Sequence, residues 1–163
     1  MSTWYKESKL SDNPIAQTFR ILPEHCADAD GLYLTSTDLF FQAKDAAAGA
    51  TVQIKECQNG TPTKRVLAST HLLAKHIKVS SNGTIPTRCI FDIPPFLKSG
   101  KQYAVSISPD GGSPNIKLWY LKTGENDIVT GAPITSSWGD GAMFISASDA
   151  WTPIVDSDLK FRL

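Results

Sequence analysis

The chain has 163 residues, the commonest size of one domain, and its 16 Lys plus Arg balance its 16 Asp plus Glu to a net charge of zero. That balance argues against a nucleic-acid surface, which needs a basic excess, and gives no electrostatic pull toward a membrane or an acidic substrate. A neutral particle is less soluble alone, which favours a place inside an assembly.

Residues 1–12 read as a loose lead-in and residues 13–163 as one domain. The opening "MSTWYKESKL" is polar, so no signal peptide is expected, and no apolar run is long enough to span a bilayer. "SDNPIAQTFRI" begins with turn-formers and passes into an alternating run that predicts the first strand. "GLYLTSTDLFFQAK" carries Leu32, Leu34, Leu39, Phe40 and Phe41 on both parities, which predicts a central strand bent between Ser36 and Asp38. "KDAAAGA" is too short for a stable helix and ends at Gly49, so it reads as a loop. Val52 and Ile54 alternate with Gln53 and Lys55, and Asn59-Gly60 marks a turn. "ASTHLLAKHIK" fits a strand or a short turn of helix capped by Ser69 or Thr70. Pro94 and Pro95 cannot donate to a ladder and bar a central strand there; Phe96 and Leu97 are expected to tuck inward before the Lys98–Lys101 turn. Tyr103, Val105 and Ile107 predict a buried face opposite an exposed one of Ala104, Ser106 and Ser108. Ile116, Leu118 and Tyr120 alternate in the same way with Lys117 and Trp119. This dense turn punctuation predicts an all-β fold: an antiparallel β-sandwich of jelly-roll type, with at most one short helix.

Chemistry is sparse. Cys26, Cys57 and Cys89 are odd in number and widely spaced, which fits free thiols made in a reducing cytosol rather than a disulfide framework or a zinc site. His71 and His76 lie five apart, a spacing that suits neither a helix face nor a strand face, and His25 is isolated. There is no Gly-x-Ser-x-Gly elbow, and "SPDGGSP" is a turn rather than a phosphate loop. Acids such as Asp28, Asp30, Asp110, Asp127, Asp140, Asp156 and Asp158 mostly adjoin Gly, Pro, Asn or Ser, where turn-forming explains them. A glycosidase would use two such carboxylates, with Asp110 and Asp140 the ones to test. Loop oxygens in "DADG" and "GSPNIKLWY" are a weak calcium signal. No catalytic residue, metal ligand or cofactor is assigned, and the protein is expected not to be an enzyme. Trp138, set between Ser137 and Gly139-Asp140-Gly141, is the tryptophan best placed for exposure. Trp138, with Ser137 or Asp140 accepting hydroxyl hydrogen bonds, forms the one candidate binding site.

Several motifs follow one another in order: "NPIAQTFRI", "GLYLTSTDLFFQAKD", "VQIKECQNGTPTKRVL", "FDIPPFLKSGKQYAVSI", "IKLWYLKTGE" and the ending "AWTPIVDSDLKFRL". The set resembles a β-sandwich domain of structural proteins of tailed bacteriophages, above all the baseplate and tail-fibre chains of contractile-tailed phages. Trp4-Tyr5 and Asn13 to Phe19 match the family's opening, with "KESKLSD" inserted and Asn13 in place of the usual Asp. Gly31 to Phe41, Asn59 to Pro62, Leu97 to Ala104, Trp151 to Pro153 and Asp158 to Phe161 match its later motifs. The resemblance implies a non-enzymatic virion component, made in the host cytoplasm, whose partners are other tail proteins in a homo- or hetero-oligomer. It implies no nucleic-acid partner and no membrane insertion. The alternative it carries is a carbohydrate-binding module that recognises a host-surface glycan.

Overall fold

The computed structural model describes residues 13–27 and 30–163, so the expected lead-in, Trp4-Tyr5 and Asp28 lie outside the described residues. In chain order the strands are β1 (Ile15–Arg20), β2 (Gly31–Tyr33), β3 (Ser36–Leu39), β4 (Phe41–Ala43), β5 (Ala50–Gln58), β6 (Thr61–Leu72), β7 (Thr87–Ile90) and β8 (Phe96–Lys98). They continue with β9 (Gln102–Pro109), β10 (Lys117–Leu118), β11 (Tyr120–Lys122), β12 (Met143–Ala147), β13 (Ala150–Ile154), β14 (Ser157–Leu159) and β15 (Phe161–Arg162). Helix among the described residues amounts to three 3₁₀ turns of three residues each. The protein is all-β, as the turn rhythm predicts. None of the described helices is long and apolar enough to cross a membrane.

A six-stranded antiparallel sheet, ordered β13-β12-β1-β9-β5-β6, forms one layer. The other side of the core is built from small antiparallel sheets: β15-β3-β7, β10-β4, β11-β14 and β2-β8. Ile15 and Phe19 of β1, Val52 and Ile54 of β5, and Tyr103, Val105 and Ile107 of β9 supply the large sheet's inner face. Leu39, Phe41, Leu97, Leu118 and Leu159 meet them from the small sheets. The β5–β6 hairpin turns at Asn59-Gly60, both at positive φ (51° and 77°), the primed turn whose twist suits paired strands.

Four expectations need correction. "GLYLTSTDLFF" is not one bent strand. It is three short strands in three sheets, with breaks at Leu34–Thr35 and at Phe40, because β2 pairs with β8, β3 with β7 and β15, and β4 with β10. Hydrophobic residues on both parities therefore reflect changes of partner. In β9, Ala104 and Ser106 are buried as well as Tyr103 and Val105. The strand is interior to its sheet, and a second cluster of Ala16, Ala104 and Phe144, with Trp151 packed on it, covers the outer face there. Phe96 is exposed while Leu97 is fully buried, since adjacent strand residues point to opposite faces. Trp119 is buried rather than solvent-facing, its indole lying under Gly83 and donating from Nε1 to the Ser80 carbonyl at 3.0 Å. The ambiguous "ASTHLLAKHIK" resolves into both alternatives: β6 runs to Leu72, and a 3₁₀ turn spans Ala74–His76.

One ion cluster ties β3, β7 and β15. The buried Asp38 carboxylate accepts from Arg88 Nε at 2.9 Å and from Arg162 Nε at 3.0 Å. Arg88 chiefly, and then Arg162, hold its carboxyl below the ordinary aspartate value against the opposing effect of burial. A carboxyl lowered in the folded state contributes stability above its unfolded pKa and loses it as pH falls through the folded one. Denaturant melts against pH should show an acid-side loss of stability in the wild type. Asp38→Asn should be less stable at neutral pH and show a shallower acid limb, and an unchanged limb would contradict this assignment.

Candidate functional site

The site begins with the first strand. Gln17 faces inward, between Ile15 and Phe19, and is fully buried. A buried amide needs partners at both ends. Its Nε2 donates to Asp158 Oδ1 at 3.0 Å, and its Oε1 accepts the Leu159 N–H at 2.8 Å. These bonds join β1 of the large sheet to β14 of the opposite layer. The second oxygen of Asp158 accepts the Trp138 N–H at 2.7 Å. Thr18 holds the far end of the same loop: its N–H donates to the Ala142 carbonyl at 2.9 Å, and its Oγ1 accepts the Ala142 N–H at 2.9 Å. Between them, Gly141 lies so close to the Thr18 carbonyl that any Cβ there would collide with it. The Trp138 loop is thus tied by two successive residues of β1.

The loop walls a cavity of about 790 Å³, within the span of roughly 300–1,000 Å³ typical of ligand pockets. Phe19, Ile21, Leu32, Leu34, Leu121 and Leu159 give it an apolar interior. Arg20, His25, Ser136, Ser137, Asp158 and Arg162 are the polar groups on its walls. Trp138 is 39% exposed, and its ring meets Phe161 edge-on at 5.8 Å; Phe161 in turn lies 5.9 Å from Phe19. An aromatic row therefore runs from the sandwich core to the cavity's surface.

Of the three residues singled out in the sequence, Trp138 and Ser137 line the cavity together. Asp140 is exposed in the turn that follows and is not among the lining residues. Sequence reasoning missed Arg20, His25, Asp158, Phe161 and Arg162. Only Arg20 carried a local signal, as the one charge in an otherwise apolar strand end. Asp158, Phe161 and Arg162 are brought in by the pairing of β14 and β15, and His25 by the 3₁₀ turn Pro23–His25 that follows β1.

Other candidate groups have structural partners. His71 Nε2 and Asp110 Oδ2 are 2.7 Å apart, and the same oxygen accepts the Gly49 N–H at 3.1 Å. Asp127 Oδ1 accepts the N–H groups of Val129 and Thr130 within its own turn. Burial pushes the thiols of Cys57 and Cys89 up to about 12, so neither is a thiolate at neutral pH. No protein-family model matches the chain, and a search of the curated proteins finds no match.

Burial raises the Asp158 pKa above the ordinary aspartate value, with the bonds from Trp138 and Gln17 opposing the rise. Between the unfolded and folded pKa values the native state then binds more protons, so stability falls as pH rises through that window. Both oxygens of Asp158 must accept, because Gln17 and Trp138 each offer a donor. In Asp158→Asn one side-chain oxygen becomes a donor and faces an N–H. This variant should lose about 1–3 kcal/mol, the usual result of an unsatisfied buried polar group. Its Trp138 fluorescence should shift red, and the pH-dependent stability loss assigned to Asp158 should vanish. An unshifted spectrum with unchanged stability would contradict the network.

Proposed function

We propose that this chain is a non-enzymatic structural domain of a bacteriophage tail, in a baseplate or tail-fibre component, acting through protein–protein contacts. The ordered motif resemblance suggests the reading, and one feature of the surface supports it. Tyr33 and Phe96 are cross-strand partners on β2 and β8, with rings 5.1 Å apart, and are 69% and 41% exposed. Ile90 and Ile93, at the end of β7 and in the loop leading to β8, are 61% and 84% exposed. The backbone of this segment is bound to residues 34 and 35 through Phe91 N–H to the Thr35 carbonyl and Leu34 N–H to the Pro95 carbonyl. A rigid, apolar, exposed edge of this kind favours burial against another protein. Mass spectrometry of purified virions should detect the chain. Tyr33→Ser with Ile93→Ser should fold within about 0.5 kcal/mol of wild type per site, as surface changes do, yet fail to join the particle. Absence of the wild-type chain from virions would overturn the reading.

A second reading is favoured by the Trp138 cavity: a carbohydrate-binding module for host recognition. The half-exposed indole offers a flat face for a pyranose, and Ser137 offers a hydroxyl beside it. Trp138→Ala should melt with a loss below the about 3–5 kcal/mol of a buried aromatic, while losing signal on a host-glycan array. No binding of any glycan by the wild-type domain at millimolar sugar would end this reading.

A further inference from the structure

We infer that the cavity takes an acidic sugar, a pyranose bearing a carboxylate; this rests on the carbohydrate reading of the Trp138 cavity. The argument is one of charge. Among the described residues, two arginines line the cavity, Arg20 and Arg162, with His25 beside them, against one acidic side chain, Asp158. Asp158 is 2% exposed, and its two oxygens already accept from Gln17 and Trp138. Among the described residues it forms no ion pair with Arg20, His25 or Arg162. Arg162 does have a carboxylate partner, Asp38, but Arg88 shares it, so two guanidiniums stand against one negative charge. Arg162 remains well exposed, at 61% of its side chain. Arg20 donates from Nη1 to the Gly100 carbonyl at 2.6 Å, a neutral acceptor, and among the described residues no carboxylate pairs with it. A guanidinium carries five N–H donors, so most of the Arg20 fork is left for a ligand.

The positive charge is therefore placed beside an apolar wall, where it is less screened than in bulk solvent. A carboxylate meets a guanidinium in two parallel hydrogen bonds, which fixes orientation as well as adding affinity. Trp138 and Phe161 supply the ring faces for the sugar's apolar side, and the Ser137 hydroxyl is placed for its hydroxyls. Neutral hexoses would use the rings and Ser137 but leave the remaining donors of Arg20 without a carboxylate.

The test compares glucuronate and galacturonate oligosaccharides with neutral glucose and galactose oligosaccharides of the same length, by titration calorimetry on the full chain at low and high salt. The acidic sugars are expected to bind about tenfold more tightly or better, equivalent to about 1.4 kcal/mol. That advantage should shrink at high salt as the charges are screened. Arg20→Gln, checked for folding by its melt, should remove most of the advantage and leave neutral-sugar binding in place. The wild-type preference and its salt dependence decide the matter even if the variant fails to fold. Equal affinity for acidic and neutral sugars would overturn the acidic inference and leave the carbohydrate reading standing. No binding of either class would overturn both.

Discussion

The Gln17 side chain joins the two layers of this protein by polar bonds through the core. An uncharged amide in the apolar interior is costly unless both its ends are bonded, and here both are, to Asp158 and to the Leu159 backbone. The partner it recruits is a carboxylate that is itself almost fully buried. Removing either member would take a buried hydrogen bond from the other in a low-dielectric setting, so the two residues help fix the relative position of β1 and β14. The register of β14 on β11 follows, with Leu121 opposite Asp158 and Tyr120 opposite Leu159.

From that constraint the cavity is assembled in steps. Asp158 uses its second oxygen on the Trp138 backbone, Thr18 clamps Ala142, and Gly141 permits the loop to lie against β1. Phe19, next along the same strand, floors the cavity and stacks toward Phe161. Three consecutive residues with no catalytic chemistry thus shape one wall of the cavity. A polar side chain in the middle of an otherwise apolar strand is explained by what it holds in place rather than by any reaction it performs.

The all-β class was legible because turn residues and period-two runs are local signals, and Asn59-Gly60 behaves as those signals require. Trp138 was legible as an exposed ring because its Gly- and Ser-rich surroundings offer little to bury it. What local pattern could not convey was which strands pair. "GLYLTSTDLFF" reads as one strand until three different partners divide it, and Ala104 and Ser106 read as exposed until Phe144 and its neighbours cover them. The cavity was hidden for the same reason. Arg20 lies far in the chain from Asp158 and Arg162, and only long-range pairing brings it to them. Gln17 bonds backbone and a carboxylate through the core.

Hydrogen exchange at the Trp138 amide, followed by NMR in the wild type and in Gln17→Leu at neutral pH, tests the dependence of the loop on this bridge most directly. The structure predicts strong protection of that amide in the wild type. In Gln17→Leu that protection should be lost selectively, while amides of the β5–β9 pairing stay protected. A Trp138 amide that exchanges at the rate of a solvated loop in the wild type, or one whose protection survives the loss of Gln17, would contradict it.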